Sequence, residues 1–291
     1  MRALPVTVLA VCGLIASACG ATDTGDAAAG QAATTSTEER AASSAPAKTF
    51  DPAETAGPAG TAGSAERARE ARPLEGRVIV IDPGHNGGNY RAPKEINRLV
   101  DVLTKKKACD TTGTSTNDGY SEAAFTWDVS TRMVKILERR GATVKLTRSS
   151  NDGVGPCITR RAAIGNKAEA DAAISVHADG SAPGNHGFHV IMPKKINGPV
   201  DKVVDDSSRL GITVRDAFAR GTGLPYSTYI GRKALDYRSD LGGLNLSTVP
   251  KIFVECGNMR NAAEAAKFQR PKFRQKIALA LANGLQHYLK A

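Results

Sequence analysis

Four short segments of this 291-residue chain end in a side chain that can bind a metal or carry a proton. They are Val78-Ile79-Val80-Ile81-Asp82-Pro83-Gly84-His85, Tyr120-Ser121-Glu122, Ala173-Ile174-Ser175-Val176-His177 and Val249-Pro250-Lys251-Ile252-Phe253-Val254-Glu255. Imidazole nitrogen and carboxylate oxygen are both zinc ligands, and hydrolytic zinc sites take three ligands from the protein while leaving a fourth position open. Two histidines, with His85 and His177 the strong candidates, and one glutamate would supply that set, with a second glutamate left over to move protons. The chemistry these residue types point to is metal-assisted hydrolysis around one zinc ion.

Taken one at a time, the candidates differ. His85 and His177 each follow an apolar run, and the small residues Gly84, Gly87, Gly88, Ala178 and Gly180 beside them would let a substrate approach the backbone. His186 and His189 suit a rim or packing role, and His287 a surface one. Glu122 opens a helical pattern, where the helix dipole favours an acid whether or not it binds anything. Glu255 ends an apolar run and precedes Cys256-Gly257-Asn258. An acid placed there faces a desolvation cost unless it is ion-paired or catalytic.

Positioning such groups requires a scaffold, and the apolar runs describe one. Three of the four segments begin with β-branched stretches that read as buried strands. Their functional residues sit where the strands stop, which is where open α/β sheets bind ligands. Further strands are expected at 144–148 and 187–192. Helices are expected at 121–140, 158–167, 207–221, 262–268 and 271–289, the first with a core stripe of Ala124, Trp127, Val129, Val134, Ile136 and Leu137. The polar stretch 92–118, centred on Lys105-Lys106-Lys107, reads as a short helix and a long loop. The fold class is therefore α/β: one domain with a twisted, mostly parallel or mixed sheet of about six strands, helices on both faces and the site at the strand C-terminal ends.

That domain spans 73–291. Residues 20–72 are mostly Ala, Gly, Thr, Ser, Pro and Glu, and such a stretch buries too little to offset ordering, so it is expected to be a disordered tether. Residues 1–19 read as an export signal: Arg2, an apolar core from Val6 to Ile15 too short to span a bilayer, then Ala16-Ser17-Ala18 as a cleavage site. Cys19 follows at once, as in bacterial lipoprotein signals, so either lipid anchoring through Cys19 or plain secretion fits. Both put the protein outside the cytoplasm, in the periplasm, wall or medium.

The chain carries a formal net charge of +10. Residues 1–70 hold five Lys/Arg and eight Asp/Glu, which leaves 34 and 21, or +13, for the rest. A basic exported domain suits a polyanionic partner such as a wall polymer. Aromatic residues make up only 5%, and no stacking pattern accompanies the basic clusters, which argues against nucleic acid. Nothing suggests more than a monomer. Of five cysteines, Cys109 and Cys157 lie in polar loops, and an oxidising compartment would favour a bridge between them. Closing a loop of some 50 residues would contribute roughly 3 to 4 kcal/mol in the chain-entropy model. Cys256 is expected to be a free, buried thiol. No Cys-x-x-Cys spacing supports zinc ligation by cysteine.

In combination the motifs resemble the zinc-dependent N-acetylmuramoyl-L-alanine amidases of type 3, in particular their exported actinobacterial members. Ile81-Asp82-Pro83-Gly84-His85-Asn86-Gly87-Gly88 matches the family's opening motif, and Ser121-Glu122-Ala123 its helix-opening glutamate. Leu146-Thr147-Arg148, Asp152, Arg160-Arg161 and Gly165-Asn166 follow in the family's order, then Ser175-Val176-His177-Ala178 and Gly187-Phe188. Pro250 through Glu255 and on to Asn261 echo the closing signature, although Cys256-Gly257 stands where the family often has Gly-Phe. The resemblance covers about 77–291 and implies zinc on His85, Glu122 and His177, with Glu255 as the proton carrier. It implies cleavage of the lactyl amide that joins N-acetylmuramic acid to the stem peptide, on peptidoglycan or its muramyl-peptide fragments. Asp82 would orient His85 or simply build the turn. Arg91, Arg238, Lys251 and Arg260 could clamp stem-peptide carboxylates, or be solvated surface charges. Two other readings remain: a zinc carboxypeptidase or endopeptidase cutting within the stem peptide, and a non-catalytic wall-binding lipoprotein.

Overall fold

Apolar β-branched runs buried on both sides make parallel inner strands, and three of them form the centre of the sheet. In the computed structural model, which describes residues 72–291, these are β1 (Val78–Pro83), β5 (Ala172–Asp179) and β8 (Lys251–Asn258). With β4 (Thr143–Leu146), β6 (His189–Pro193) and β7 (Leu235–Arg238) they make a six-stranded sheet in the order β4-β1-β5-β8-β6-β7. Every pairing is parallel except that of β6 with β8, so the sheet is mixed. The α/β class, the strand number and the mixed sense match the reading of the sequence. The signal at 1–19 and nearly all of the tether at 20–72 lie outside the described residues.

One face of the sheet is a hydrocarbon layer. Ile79, Ile81, Ile174, Val176, Ile252 and Val254 point into a core shared with helices α2 (Glu122–Arg139), α4 (Val204–Thr222) and α7 (Pro271–Lys290). Phe125, Val129, Met133, Ile136 and Leu137 supply the α2 side of it at helical spacing. Trp127, expected in that stripe, is only half-buried and instead lies under the Arg148 guanidinium, 4.9 Å from the ring centroid. The opposite face carries a small apolar patch (Val80, Ala170, Ala173, Val249) beside α3 (Ile158–Lys167). The rest of that face is polar, because residues two apart along a strand share a side. Asp82, Ser175, His177, Lys251 and Glu255 follow from this alternation.

Several elements were not anticipated. The stretch 92–118 holds a one-turn helix α1 (Pro93–Ile96) and an antiparallel hairpin of β2 (Leu99–Asp101) and β3 (Lys106–Ala108), rather than a long loop. The hairpin is three lysines and few apolar residues, so its pattern does not read as strand; tertiary contacts hold it. Asn245 in α5 (Gly242–Asn245) donates to Val102 O at 2.8 Å, and Thr104 donates to Ser239 O at 2.7 Å. Strand β7 is a short edge element, Leu-Asp-Tyr-Arg, whose polar composition conceals it. Helix α6 (Ala262–Phe268) matches its expected span.

Candidate active site

His85, Glu122 and His177 come from three distant elements, and their positions follow from how those elements end. Beyond β1 the chain turns through Pro83 and Gly84, where Gly84 N–H donates to Val176 O at 3.0 Å. His85 then takes a left-handed backbone, φ 57°, a costly conformation for a non-glycine residue that recurs at functional sites. Glu122 is the first residue of α2, behind Ser121, whose hydroxyl caps Ala124 N–H. His177 sits near the end of β5. One ligand atom from each of the three lies within 4.8 Å of the others.

Both histidines face the Glu122 carboxylate. His85 Nε2 is 3.1 Å from Oε2, and His177 Nδ1 is 2.9 Å from Oε1. The backbone holds the carboxylate in turn, with Thr114 N–H donating to Oε2 at 2.9 Å and Ala178 N–H to Oε1 at 3.2 Å. The other ring nitrogen of His85 lies 3.1 Å from both the carbonyl and the hydroxyl of Thr111, which leaves Nε2 directed inward. His177 stacks on Phe253 at 5.3 Å between centroids. Glycine is required at Gly84, because a Cβ there would come within 2.3 Å of the His177 ring.

Burial works against a charged imidazole at His85, yet Glu122 and Asp110 beside it raise it to about 10. Burial likewise opposes a charged Glu122, and the two histidines hold its carboxyl far below the usual range. Two imidazoles and an anionic carboxylate converging in this way suit a divalent cation, which takes the place of the bound protons. Glu255 differs. It pairs in register with His177 across β5 and β8, and its Oε2 is buried with no hydrogen-bond partner. Burial, then the Glu122 and Asp179 charges, push its carboxyl well above the ordinary value. Neighbouring carboxyls driven in opposite directions are the pattern that separates an acid–base group from a ligand.

A layer of buried charge lies behind these residues. Asp82 Oδ1 accepts from Arg161 at 2.8 Å and Thr147 at 2.6 Å, and Oδ2 from Ser175 at 3.0 Å and Lys251 at 3.3 Å. Asp82 therefore does not touch the His85 ring; it anchors cations. Arg161 reaches on to Asp110 at 3.1 Å and to His85 O at 2.8 Å, fixing the left-handed turn from below. Arg148 donates to Pro83 O at 3.1 Å and to Ala123 O at 3.0 Å, so one guanidinium ties the His85 loop to the first turn of α2. Burial lowers Arg148 to about 9. The roles of Arg148, Arg161 and Asp110 were not read from the sequence; the Leu-Thr-Arg and Arg-Arg motifs flagged two of the positions without showing that they point inward.

Lys251, weighed as a clamp or a surface charge, is neither: it is 2% exposed and held by Asp82. Arg238 is paired with Asp240 at 2.8 Å. Arg260 reaches Ser115 O at 3.5 Å, and Arg91 donates to the Tyr90 hydroxyl at 2.8 Å. His186 is near the surface and His189 is buried. Cys109 and Cys157 are brought together with reduced thiols in contact; burial and then Cys157 raise Cys109 to about 12. Cys256 is free and fully buried.

Fold and site together define an α/β protein with a His-Glu-His cluster that could hold a metal ion at the C-terminal edge of its sheet. The family model for N-acetylmuramoyl-L-alanine amidase matches residues 79–287, and the chain belongs to that family. It is 38% identical over 218 residues to the N-acetylmuramoyl-L-alanine amidase Rv3717 of Mycobacterium tuberculosis, covering 74% of this chain and 88% of that one. Among solved structures, the amidase Ami1 of Mycobacterium smegmatis matches with a TM-score of 0.70 at 38% identity, covering 74% of this chain and 98% of its own. The apo form of Ami1 from Mycobacterium abscessus also reaches 0.70, at 42% identity, over 74% of this chain and all of its own.

Proposed function

We propose that this protein is a zinc-dependent hydrolase that cleaves the amide between the lactyl group of N-acetylmuramic acid and the L-alanine of peptidoglycan stem peptides. The observation that carries the reading is the convergence of His85, Glu122 and His177 within 4.8 Å, with the unpartnered Glu255 oxygen in the next strand. Zinc on those three residues would supply Lewis acidity, polarising an amide carbonyl and making water reactive near neutral pH. The protein's own groups do the rest. Glu255 takes a proton from the attacking water and returns it to the departing amine, which leaves as the neutral L-alanine nitrogen. Its raised carboxyl suits both tasks. Glu122 stays anionic between two imidazoles, and the Thr114 and Ala178 N–H groups keep its oxygens aimed at them. Thr111 orients the His85 ring.

Digestion of purified peptidoglycan by the zinc-loaded protein, read by mass spectrometry, tests the reading. Intact stem peptides with a free L-alanine amine are expected; shortened peptides would replace this activity by a carboxypeptidase or endopeptidase. Glu255→Gln is expected to keep zinc and lose turnover by at least a hundredfold, within the range general acid–base catalysis contributes. Normal turnover by that variant would refute the proton-transfer role.

Three further assignments belong to the same reading. The segment 1–19 exports the protein, with Cys19 available for lipid attachment, and 20–72 tethers the catalytic domain at the wall as a monomer. Among the described residues no helix is long and apolar enough to cross a membrane. In an oxidising compartment Cys109 and Cys157 form a disulfide, a proposal supported by the contact of their thiols.

A further inference from the structure

Three side chains stand in one row across the site face of the sheet. Glu255 on β8 pairs in register with His177 on β5 and, on its other side, with His189 on β6. The first neighbour belongs to the metal-binding cluster. Nothing so far gives the second a task.

His189 is 1% exposed, and its Nδ1 is buried without a hydrogen-bond partner. Oε2 of Glu255 is in the same condition. Buried polar atoms without partners are uncommon and cost free energy, and two of them here occupy directly opposed positions of an antiparallel pair. Cβ atoms at such positions lie about 4.5 to 5.5 Å apart, so side-chain rotation alone can join a donor to an acceptor. The other polar groups nearby are already engaged. Tyr229, edge-on to the His189 ring at 6.0 Å, gives its hydroxyl to Asp179 Oδ2 at 3.0 Å. Asp179 Oδ1 accepts from Gly180 N–H at 2.7 Å, and Arg238 is held by Asp240 at 2.8 Å. Burial favours the uncharged ring at His189, against the pull of Asp179 and Asp236. A neutral imidazole protonated on Nδ1 is a donor that adds no charge.

We propose that His189 is a positioning residue for Glu255, its Nδ1–H donating to Oε2 of the ionised carboxylate. The bond holds one carboxylate oxygen toward β6 and leaves the other free on the side of His177, where a proton must be taken. The inference rests on the reading of Glu255 as the proton carrier.

The test compares His189→Phe with His189→Asn in the zinc-loaded protein, since the Asn amide can place a donor near the position of Nδ1. The Phe variant is expected to lose about tenfold in kcat with KM within twofold, the scale of one hydrogen bond to a charged group. The Asn variant is expected to recover most of that loss. Phe and Asn variants equally impaired, or a Phe variant within twofold of wild type, would overturn the proposal. Should the Phe variant fold poorly, nitrogen-detected NMR of the wild-type imidazoles decides instead: the His189 Nδ1–H signal should move on Glu255→Gln, and an unmoved signal overturns it. Full activity of Glu255→Gln would strike the underlying reading, whereas a dead Glu255→Gln beside unaffected His189 variants would strike this inference alone.

Discussion

Replacing Asp82 by Asn removes the only anion that Lys251 touches among the described residues, and the cost can be worked from the distances. Asp82 is 2% exposed and holds Arg161 at 2.8 Å and Lys251 at 3.3 Å. After the substitution Arg161 keeps Asp110 at 3.1 Å and the carbonyls of Pro83 and His85, each at 2.8 Å. Lys251 keeps only the Phe253 ring, 5.6 Å away. Removing one partner of a buried ion pair typically costs about 3 to 5 kcal/mol. Because one of the two cations is still satisfied, we expect about 3 kcal/mol, and a fall in Tm of about 6 to 12 °C for a domain of this size. Urea denaturation at pH 7 should show a lower midpoint at unchanged slope. Lys251→Met in the Asp82→Asn background should restore part of the loss, since it removes the stranded charge. The pH dependence has a definite sign. Burial opposes the Asp82 anion, but Lys251 and Arg161 prevail and depress its carboxyl strongly. Its contribution is thus complete above the unfolded carboxylate value, about 3.9, and is lost as pH falls from there toward the folded value. The gap between wild type and Asp82→Asn should therefore be flat from pH 5 to 8 and close only in stronger acid. A gap below 1 kcal/mol at pH 7, or one that widens in acid, would refute the reasoning.

Other substitutions test other parts of the site. Gly84→Ala should abolish zinc retention while leaving the far-ultraviolet circular dichroism unchanged, because the new Cβ would lie 2.3 Å from the His177 ring and displace it; stoichiometric zinc in the purified variant would contradict that. Glu255→Gln should raise the Tm of the metal-free protein by about 2 to 4 °C at pH 7, the equivalent of about 1 kcal/mol, by removing a carboxylate that burial and the Glu122 and Asp179 charges disfavour. Since the folded carboxyl lies above its unfolded value, the wild type should lose this stability as pH rises through about 4.3 and upward, and the variant should not. Oxidation of Cys109 and Cys157 should stabilise the protein by roughly 3 to 4 kcal/mol in the chain-entropy model. Melting with and without reductant, beside Cys109→Ser, measures this, and an effect equal in both proteins would exclude the bridge.

The sequence was most informative where burial and periodicity agree. Helix 158–167 was read with the ends it has, and the strand starting at Ala172 was found although its end was placed three residues early, at Val176. The early stop has a physical source: His177 and Asp179 point to the site face, so the apolar pattern fades while backbone pairing continues. The hairpin β2–β3 and the edge strand β7 were missed for the opposite reason, since contacts with Asn245, Ser239 and Asp240 hold residues whose own pattern is polar. Of the site, the convergent His85, Glu122 and His177 and the isolated Glu255 were legible from strand ends and motif order. The supporting charges were not. Lys251 sits between Pro250 and Ile252, and only the alternation of β8, with Ile252 and Val254 toward the helices, reveals that its ammonium must lie under the site.

That alternation explains how one sheet can carry both the stability and the chemistry. Along β5, Ile174, Val176 and Ala178 enter the hydrocarbon core while Ser175 and His177 face the site; along β8, Ile252, Val254 and Cys256 do the former while Lys251, Phe253 and Glu255 do the latter. The site face concentrates buried ions, an unpartnered carboxylate oxygen and a left-handed histidine, each of which costs free energy. The helix-covered face offsets those costs through side chains such as Phe125, Phe218, Phe268 and Leu281, all fully buried. Because strand side chains repeat every two residues, a slip of one residue in β8 would drive Lys251 and Glu255 into hydrocarbon and lift Ile252 and Val254 toward the His-Glu-His cluster. Both faces then fail at once. The pairing of His177 with Glu255 is therefore specified chiefly by the apolar residues between the functional ones, and a charge introduced at Val254 should disorder the site more than most substitutions made within it.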